Sequence, residues 1–379
     1  MSSLSPLPLQ PLVEAPLVSV LMSNHNYGRY IGEAIESVLS QTYPKLELIV
    51  CDDGSTDDSC TIIQDYATRD PRLTFLRKEN GGQASGYNAT FRLSRGQIIC
   101  FIDADDVYLS IKLERIVRAF RSHPNCGFVG HKLIRVDEQR RLLGLSPLFV
   151  PMPTGWHGEN ALKNSGFVHY IAPGGGLGLR REIAEIIFPL PETGLLARYG
   201  DGSPMRLAPF LTPLVAIEEG LAEWRCHGSN QGHIRKLTTD HLKRELDSYQ
   251  QFWRHQRLFL EQYQPEAALE LMPLEMNTHV AEMHYTLARL EKKDVLLRWR
   301  NLIWGRAAQR NRRSYRSLFW LFSLFLPLRV FSFAINILNS PNPIKASITR
   351  VKLLRAHTNT QKAGSTAWKQ QVPVARRVE

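Results

Sequence analysis

Cysteine is scarce and unpatterned in this chain. The five residues, at 51, 60, 100, 126 and 226, form no CxxC pair and no even set, which argues against a disulfide framework and for reduced, partly buried thiols on the cytosolic side of a membrane. No GxxxxGK[ST] stretch occurs and the first turn lacks GxGxxG, so neither a P-loop nor a dinucleotide-binding site is supported. The opening "MSSLSPLPLQPLVEAP" has no basic start followed by an apolar core, which argues against a secretory signal. Residues 1–15 are therefore expected to form a flexible leader. An uninterrupted apolar span is missing too: the run "SLFWLFSLFLPLRVFSFAINIL" (317–338) has membrane length but is broken by Pro327 and Arg329.

What is present is enough for a substantial core. The chain has 379 residues, 43% of them apolar, which suits one large domain with an appendage. The net charge of +11 is unevenly spread: residues 291–379 hold 18 Lys and Arg against 3 acids, leaving 29 basic and 33 acidic residues before them. Basic character thus belongs to the C-terminal quarter, beside the apolar run, a pairing that fits anionic lipid better than nucleic acid.

The first half alternates between two periods. "LVSVLMS" (17–23), "LELIVC" (46–51), "LTFLRKE" (73–79) and "QIICFIDADD" read as strands, while "YIGEAIESVLSQ", a segment opening near Thr56 or Asp57, and "ASGYNATFRLS" carry helical spacing. Alternating βα units predict a doubly wound, mostly parallel α/β sheet with helices on both faces. Polar clusters follow the carboxyl ends of the strands: "SNHNYG", "DDGSTD", "ENGGQASGYN" and "DADD". In such sheets the ligand crevice lies at that edge. A helix at about 110–122 and a strand "GFVGHKLIRV" come next. A long irregular Pro/Gly stretch then leads to a helix, a short strand "LVAI" and an extended segment into "EWRCHGSNQGH", and residues 238–315 are helical and charged.

"CFIDADD" ends an apolar run in three carboxylates within four residues. Such charges raise one another's pKa unless a cation or several donors hold them. A hard divalent ion, Mn²⁺ or Mg²⁺, prefers oxygen ligands and keeps positions open for phosphates, so Asp103, Asp105 and Asp106 are candidate ligands bridging to a diphosphate. Asp52 is placed to accept a hydrogen bond from a nucleobase. Asp57 and Asp58 read as helix-cap acids, Gly81 and Gly82 as a tight turn, His25 and His157 as ordinary surface or packing residues, and Arg180 and Arg181 as either surface or acceptor-facing groups.

"VSVLMSNHNYGRYIGEAIESVLSQTYPKLELIVCDDGSTDDS", "NGGQASGYNAT" and "GQIICFIDADD" together resemble the nucleotide-sugar half of the inverting glycosyltransferases of family 2, with the GT-A fold. The resemblance is dense over residues 16–120 and sparser to about 235, where "YIAPGGGLGLRREIAEIIFPLPE" and "WRCHGSN" resemble the acceptor segment and the closing loop. It implies that Asp103 and Asp105 form a DxD element, with Asp106 as an alternative metal ligand. It implies too that Asp52 reads the base, that Asn24, Asn26 and Tyr27 line its pocket, and that Asn80, Gly82 and Asn88 lie near the donor. His227 becomes a further metal or diphosphate ligand, and Asp201 the general base, with Glu218 and Glu219 in reserve. "MSNHN", "GGGLGLRR" and "GDGSPM" depart from the family's usual pattern.

The expected organisation is a leader (1–15), a GT-A domain (16–235), a helical region (236–315), an apolar membrane-associated segment (316–338) and a basic tail (339–379). The expected activity is metal-dependent inverting transfer from a nucleotide-sugar donor, a uridine one, to a saccharide or lipid-linked acceptor. Attachment is expected to be peripheral or monotopic at the cytoplasmic face, with no nucleic acid bound. A nucleotidyltransferase would show a Gly-rich, basic first loop, which "SNHNYGRY" does not offer. A non-catalytic scaffold would leave the acidic cluster without a purpose.

Overall fold

Residues 4–146, 152, 154–168, 174–227, 238–308, 319, 320 and 322–339 are described by the computed structural model. The strands are β1 (Val18–Asn24), β2 (Leu46–Asp53), β3 (Leu73–Lys78), β4 (Ile98–Asp103), β5 (Val107–Tyr108), β6 (Phe128–Val136), β7 (Leu142–Ser146), β8 (Leu177–Arg180) and β9 (Leu214–Arg225). The sheet-bearing half carries helices α1 (Gly28–Leu39), α2 (Ser59–Arg69), α3 (Gln83–Leu93), α4 (Lys112–Ser122), α5 (Gly158–Lys163), α6 (Arg181–Ile187) and α7 (Gly202–Leu207). Five more follow: α8 (Thr239–Tyr263), α9 (Pro265–Glu270), α10 (Thr278–Glu291), α11 (Val295–Ala308) and α12 (Leu328–Asn339).

Among the described residues the strands form one sheet in the order β3-β2-β1-β4-β8-β6-β9-β5, with β7 on β6. The expected parallel sheet is present in β3-β2-β1-β4 and again between β6 and β9. The sheet as a whole is mixed, however, because β8 runs antiparallel to both β4 and β6, and β5 and β7 are antiparallel to their partners. The sequence offered only four residues for β8, too few for a periodicity to declare itself.

Central strands are apolar on both faces, as burial from both sides requires. Val18, Val20 and Met22 of β1 and Ile98, Cys100 and Ile102 of β4 meet Ile31 and Ile35 of α1 and Ile116 and Phe120 of α4. The alternate residues Leu21, Ile99 and Phe101 meet Ala84 and Tyr87 of α3 and Ile183 and Ile187 of α6. All five cysteines are free and four of them are buried.

Two expectations are corrected. The leader is strapped down from residue 4: Leu4 is buried, the Leu7 N–H donates to the Leu211 carbonyl at 2.8 Å, and Leu7, Leu9 and Leu12 lie against the two main cores. Its leucines serve different clusters, Leu12 one and Leu7 and Leu9 the other. The apolar run is only partly a surface feature. Trp320, Phe331 and Ile335 pack with Tyr285 of α10 and Leu302 of α11 in a separate small core, whereas Phe322 and Phe325 remain 60% and 78% exposed. The run is interrupted at Pro327, ahead of α12, and no helix among the described residues is long and apolar enough to cross a membrane. The tail after residue 339 lies outside the described residues, as do Tyr170–Pro173 of the acceptor segment and Gly228–Asn230 of the closing loop.

Candidate active site

The loop after β1 is sewn to the loop after β2. Asn24 Nδ2 donates to Asp52 Oδ2 at 2.8 Å and the Ser55 N–H to Asp52 Oδ1 at 2.9 Å. These bonds hold the Asp52 carboxyl below its ordinary pKa although burial opposes them. Asn26 adopts φ +59°, a left-handed turn that asparagine tolerates; its N–H donates to Ser55 Oγ and its Oδ1 accepts from the Thr56 N–H, each at 2.8 Å. Asp57 has a use beyond its own helix: it accepts from the first N–H of α1, at Gly28, at 2.8 Å.

Asp53, rather than its neighbour Asp52, fixes the third loop. It accepts from Lys78 Nζ (2.7 Å), Gly81 N (2.9 Å) and Gly82 N (2.7 Å). Gly82 has φ +87°, and a Cβ there would fall 2.8 Å from the Ala197 carbonyl oxygen, so two requirements select glycine. Asn80 lies at the rim with Nδ2 3.1 Å from His25 Nδ1. Asn88 is turned elsewhere: its amide donates to the Leu190 carbonyl and Glu192 and accepts from the Leu190 N–H, so it braces the segment after α6.

The acidic cluster sits where β4 ends. Asp103 Oδ1 accepts from Gln83 Nε2 at 2.8 Å and the Tyr87 hydroxyl at 3.3 Å. Burial, with Asp201 and Asp105 nearby, still pushes its pKa up to about 8. Asp106 is also raised, by burial and by Asp105 and Asp103, although it accepts from the Arg225 N–H at 3.0 Å. Asp105 Oδ2 lies 2.8 Å from His227 Nε2, both side chains being buried. His227 stacks on Tyr30 with ring centroids 5.2 Å apart, and Tyr27 lies edge-on to it. The closing-loop histidine thus reaches the acidic motif.

Asp201 caps the approach from the other side. It precedes α7, and its Oδ2 accepts from the Gly174 N–H at 2.7 Å. A Cβ built on Gly174 would lie 3.1 Å from Asp103 Oδ2 and 3.4 Å from Asp201 Oδ2. The two carboxylates therefore flank the turn Gly174–Gly176. Burial raises the Asp201 pKa as well. The reserve candidates lie elsewhere: Glu218 binds Lys132 and the Met152 N–H, and Glu219 pairs with Arg115. Arg180 and Arg181 are structural, held by Glu182 and the Gln10 carbonyl and by the Gly96 carbonyl and Ser94.

Sequence reasoning passed over several residues here. His25 lines a cavity of about 440 Å³ with Asn26, Tyr27, Arg29, Tyr30, Glu138 and His227. Arg225 donates to the Asp105 and Glu138 carbonyls and to Glu33, with its guanidinium over the Tyr30 ring. Its position two residues before His227 was the available signal. Gln83 and Tyr87 lie at a single helical turn's separation, facing Asp103, and Lys112 is wholly buried beneath the cluster.

Among the described residues no group of three or more His, Cys, Asp or Glu side chains is arranged as a metal cage. The donor set nevertheless has the chemistry of an incomplete one: two crowded carboxylates, Asp103 and Asp106, with raised pKa values beside Asp105. A hard cation would relieve that crowding, completing its shell from water and phosphate oxygens.

Residues 19–187 match the family described as Glycosyl transferase family 2. An uncharacterized glycosyltransferase of Nostoc sp. is 33% identical over 214 residues, 56% of this chain and 66% of that protein, and chondroitin synthase of Escherichia coli is 35% identical over 132 residues, 35% of this chain and 19% of that one. This chain therefore spans just under two thirds of the first relative and about a fifth of the second. The structure of S. aureus TarS 1–349 in complex with UDP-GlcNAc aligns at 15% identity and a TM-score of 0.49, covering 79% of this chain and 93% of that one. The matched segment spans β1 to α6 and takes in both the acidic strand end and the braced first loops, so this part of the chain is similar to glycosyl transferase family 2.

Proposed function

We propose that this protein is a GT-A enzyme that transfers a sugar, with inversion, from a uridine diphosphate donor to a hydroxyl of a growing polysaccharide or lipid-linked acceptor. One observation carries the reading: Asp103 and Asp106 on one side and Asp201 on the other converge around the Gly174–Gly176 turn. Asn24, Asn26, Tyr27 and Asp52 would cradle the nucleoside, and similarity to chondroitin synthase supports a polysaccharide product. Asp103, Asp105 or Asp106 would hold Mn²⁺ or Mg²⁺, which when bound neutralises charge on the departing diphosphate. Asp201 accepts the proton of the attacking hydroxyl, which enters from the face opposite the leaving group. Tyr87 and Gln83 orient Asp103 throughout, and His227 orients Asp105.

The test is a thermal-shift screen of the purified chain against nucleotide sugars with and without manganese, followed by transfer assays on any stabilising donor. Asp105→Ala should lose manganese-dependent donor stabilisation and transfer. Full transfer or donor hydrolysis in that variant sinks the reading.

We also propose peripheral attachment at a cytoplasmic membrane face through the C-terminal lobe. Phe322, Phe325 and Val330 are exposed together with Arg329, and apolar tips beside cations favour anionic bilayers. Full-length protein should sediment with vesicles containing phosphatidylglycerol and less so after Phe322→Ser with Phe325→Ser. Equal recovery with and without vesicles counts against attachment.

A further inference from the structure

The most unusual group outside the roles above is the ammonium of Lys112. It opens α4, six residues after the acidic motif, yet no part of it reaches solvent. Burying a lysine is costly unless its charge is well used, and burial pushes this one down to about 7. Its surroundings show what it holds. Nζ lies 3.2 Å from the centroid of the Tyr108 ring, and it donates to the carbonyl of Gly175. Tyr108 is fixed in turn by a hydrogen bond from its hydroxyl to the Phe101 carbonyl in β4.

Gly175 is the middle residue of the turn Gly174–Gly176. The next peptide back, at Gly174, donates to Asp201, and a Cβ on Gly175 would sit 3.5 Å from Asp106 Oδ2. A continuous path therefore runs from the donor-side helix α4, through the Lys112 ammonium, into the turn, and from the turn's N–H to the carboxylate proposed as base. Three glycines in succession have no side chains with which to fix themselves, and their backbone is entropically loose. The turn needs an external anchor, and the buried lysine supplies one from below while Asp201 engages it from above.

We infer that Lys112 is a positioning residue that locks the Gly174–Gly176 turn, and through it Asp201, at a fixed distance from the acidic motif. It touches neither donor nor acceptor. This inference rests on the reading of Asp201 as the base, so the experiment includes that residue separately.

Lys112→Met keeps the unbranched apolar stem while removing donor and charge. With the donor found by the screen above, this variant should show kcat lowered by at least about tenfold, since small misplacements of reacting groups are worth that or more, with donor KM within about twofold of the parent. A merely structural lysine would lower the melting temperature and leave kcat per folded molecule unchanged, and that result overturns the inference. Lys112→Gln, one bond shorter but still an N–H donor, should recover part of the lost kcat. It is also the variant to measure if the methionine form does not fold, in which case full parental kcat in it overturns the inference as well. Asp201→Asn should abolish transfer. If it retains activity while Lys112→Met is slow, the base assignment fails and the anchoring of the turn stands.

Discussion

Asp103 and Asp201 reach the same glycine from opposite sides: at Gly174 a single added carbon would approach Asp103 Oδ2 to 3.1 Å and Asp201 Oδ2 to 3.4 Å. Gly174 also has φ +37°. Gly174→Ala therefore meets both backbone strain, about 1–2 kcal/mol, and two carboxylates it must push apart. Transfer should fall by about 10²-fold with only a small loss of melting temperature. Near-parental kcat would show that the spacing of these acids is not critical.

The raised pKa of Asp103 fixes the sign of one pH effect. The folded chain keeps a proton on this group up to about pH 8, whereas the unfolded chain releases it near about 3.9. The native state binds more protons across that window, so this group makes stability fall as pH rises from about 4 to about 8. In chelator-treated protein, Asp103→Asn should gain melting temperature over the parent at pH 8 and little at pH 4. A constant difference between the two proteins at all pH values would refute it.

Arg225 ties the end of β9 to the acidic turn, to Glu138 and to Glu33. Arg225→Met leaves the Asp105 carbonyl without this donor, a loss of about 1–3 kcal/mol. It also frees Tyr30 and with it the ring on which His227 stacks. Donor KM should rise by tenfold or so. Isothermal titration with uridine diphosphate and manganese checks it, and unchanged affinity would count against the coupling.

Helix α8 lies beyond the matched segment, yet Phe252 is pressed against Gly202, where a Cβ would fall 2.4 Å from the ring. Phe252→Ala should cost about 3–5 kcal/mol and depress transfer through α7, measured by denaturant unfolding and by kcat. Loss of stability without loss of kcat in the folded fraction would confine α8 to a scaffolding part.

The first four strands were legible because each is a short apolar run closed by turn residues, and β1, β2 and β3 begin within a residue of the reading. β9 was read as a short strand "LVAI" followed by an extended segment into "EWRC"; the two are one strand to Arg225, in which Glu218 pairs with Lys132 and the buried Glu223 with Arg140. β5, β7 and β8 were too short to show periodicity. The acids of the site were visible because like charges in one turn demand an explanation. Lys112 was not, since in "IKLER" it looks like any surface lysine, and only the fold reveals that nothing around it is water. Asn88 was misjudged for the opposite reason: a polar residue in a polar motif turned out to brace a loop.

Strand β8 hydrogen-bonds to β4 on one edge and β6 on the other. It delivers the Gly174 turn beside Asp103, where β6 and the Lys112 ammonium hold it. Only the connection from Asp137 to Pro173, between two strands already fixed in the sheet, is free to change in length and sequence while the two aspartates keep their separation.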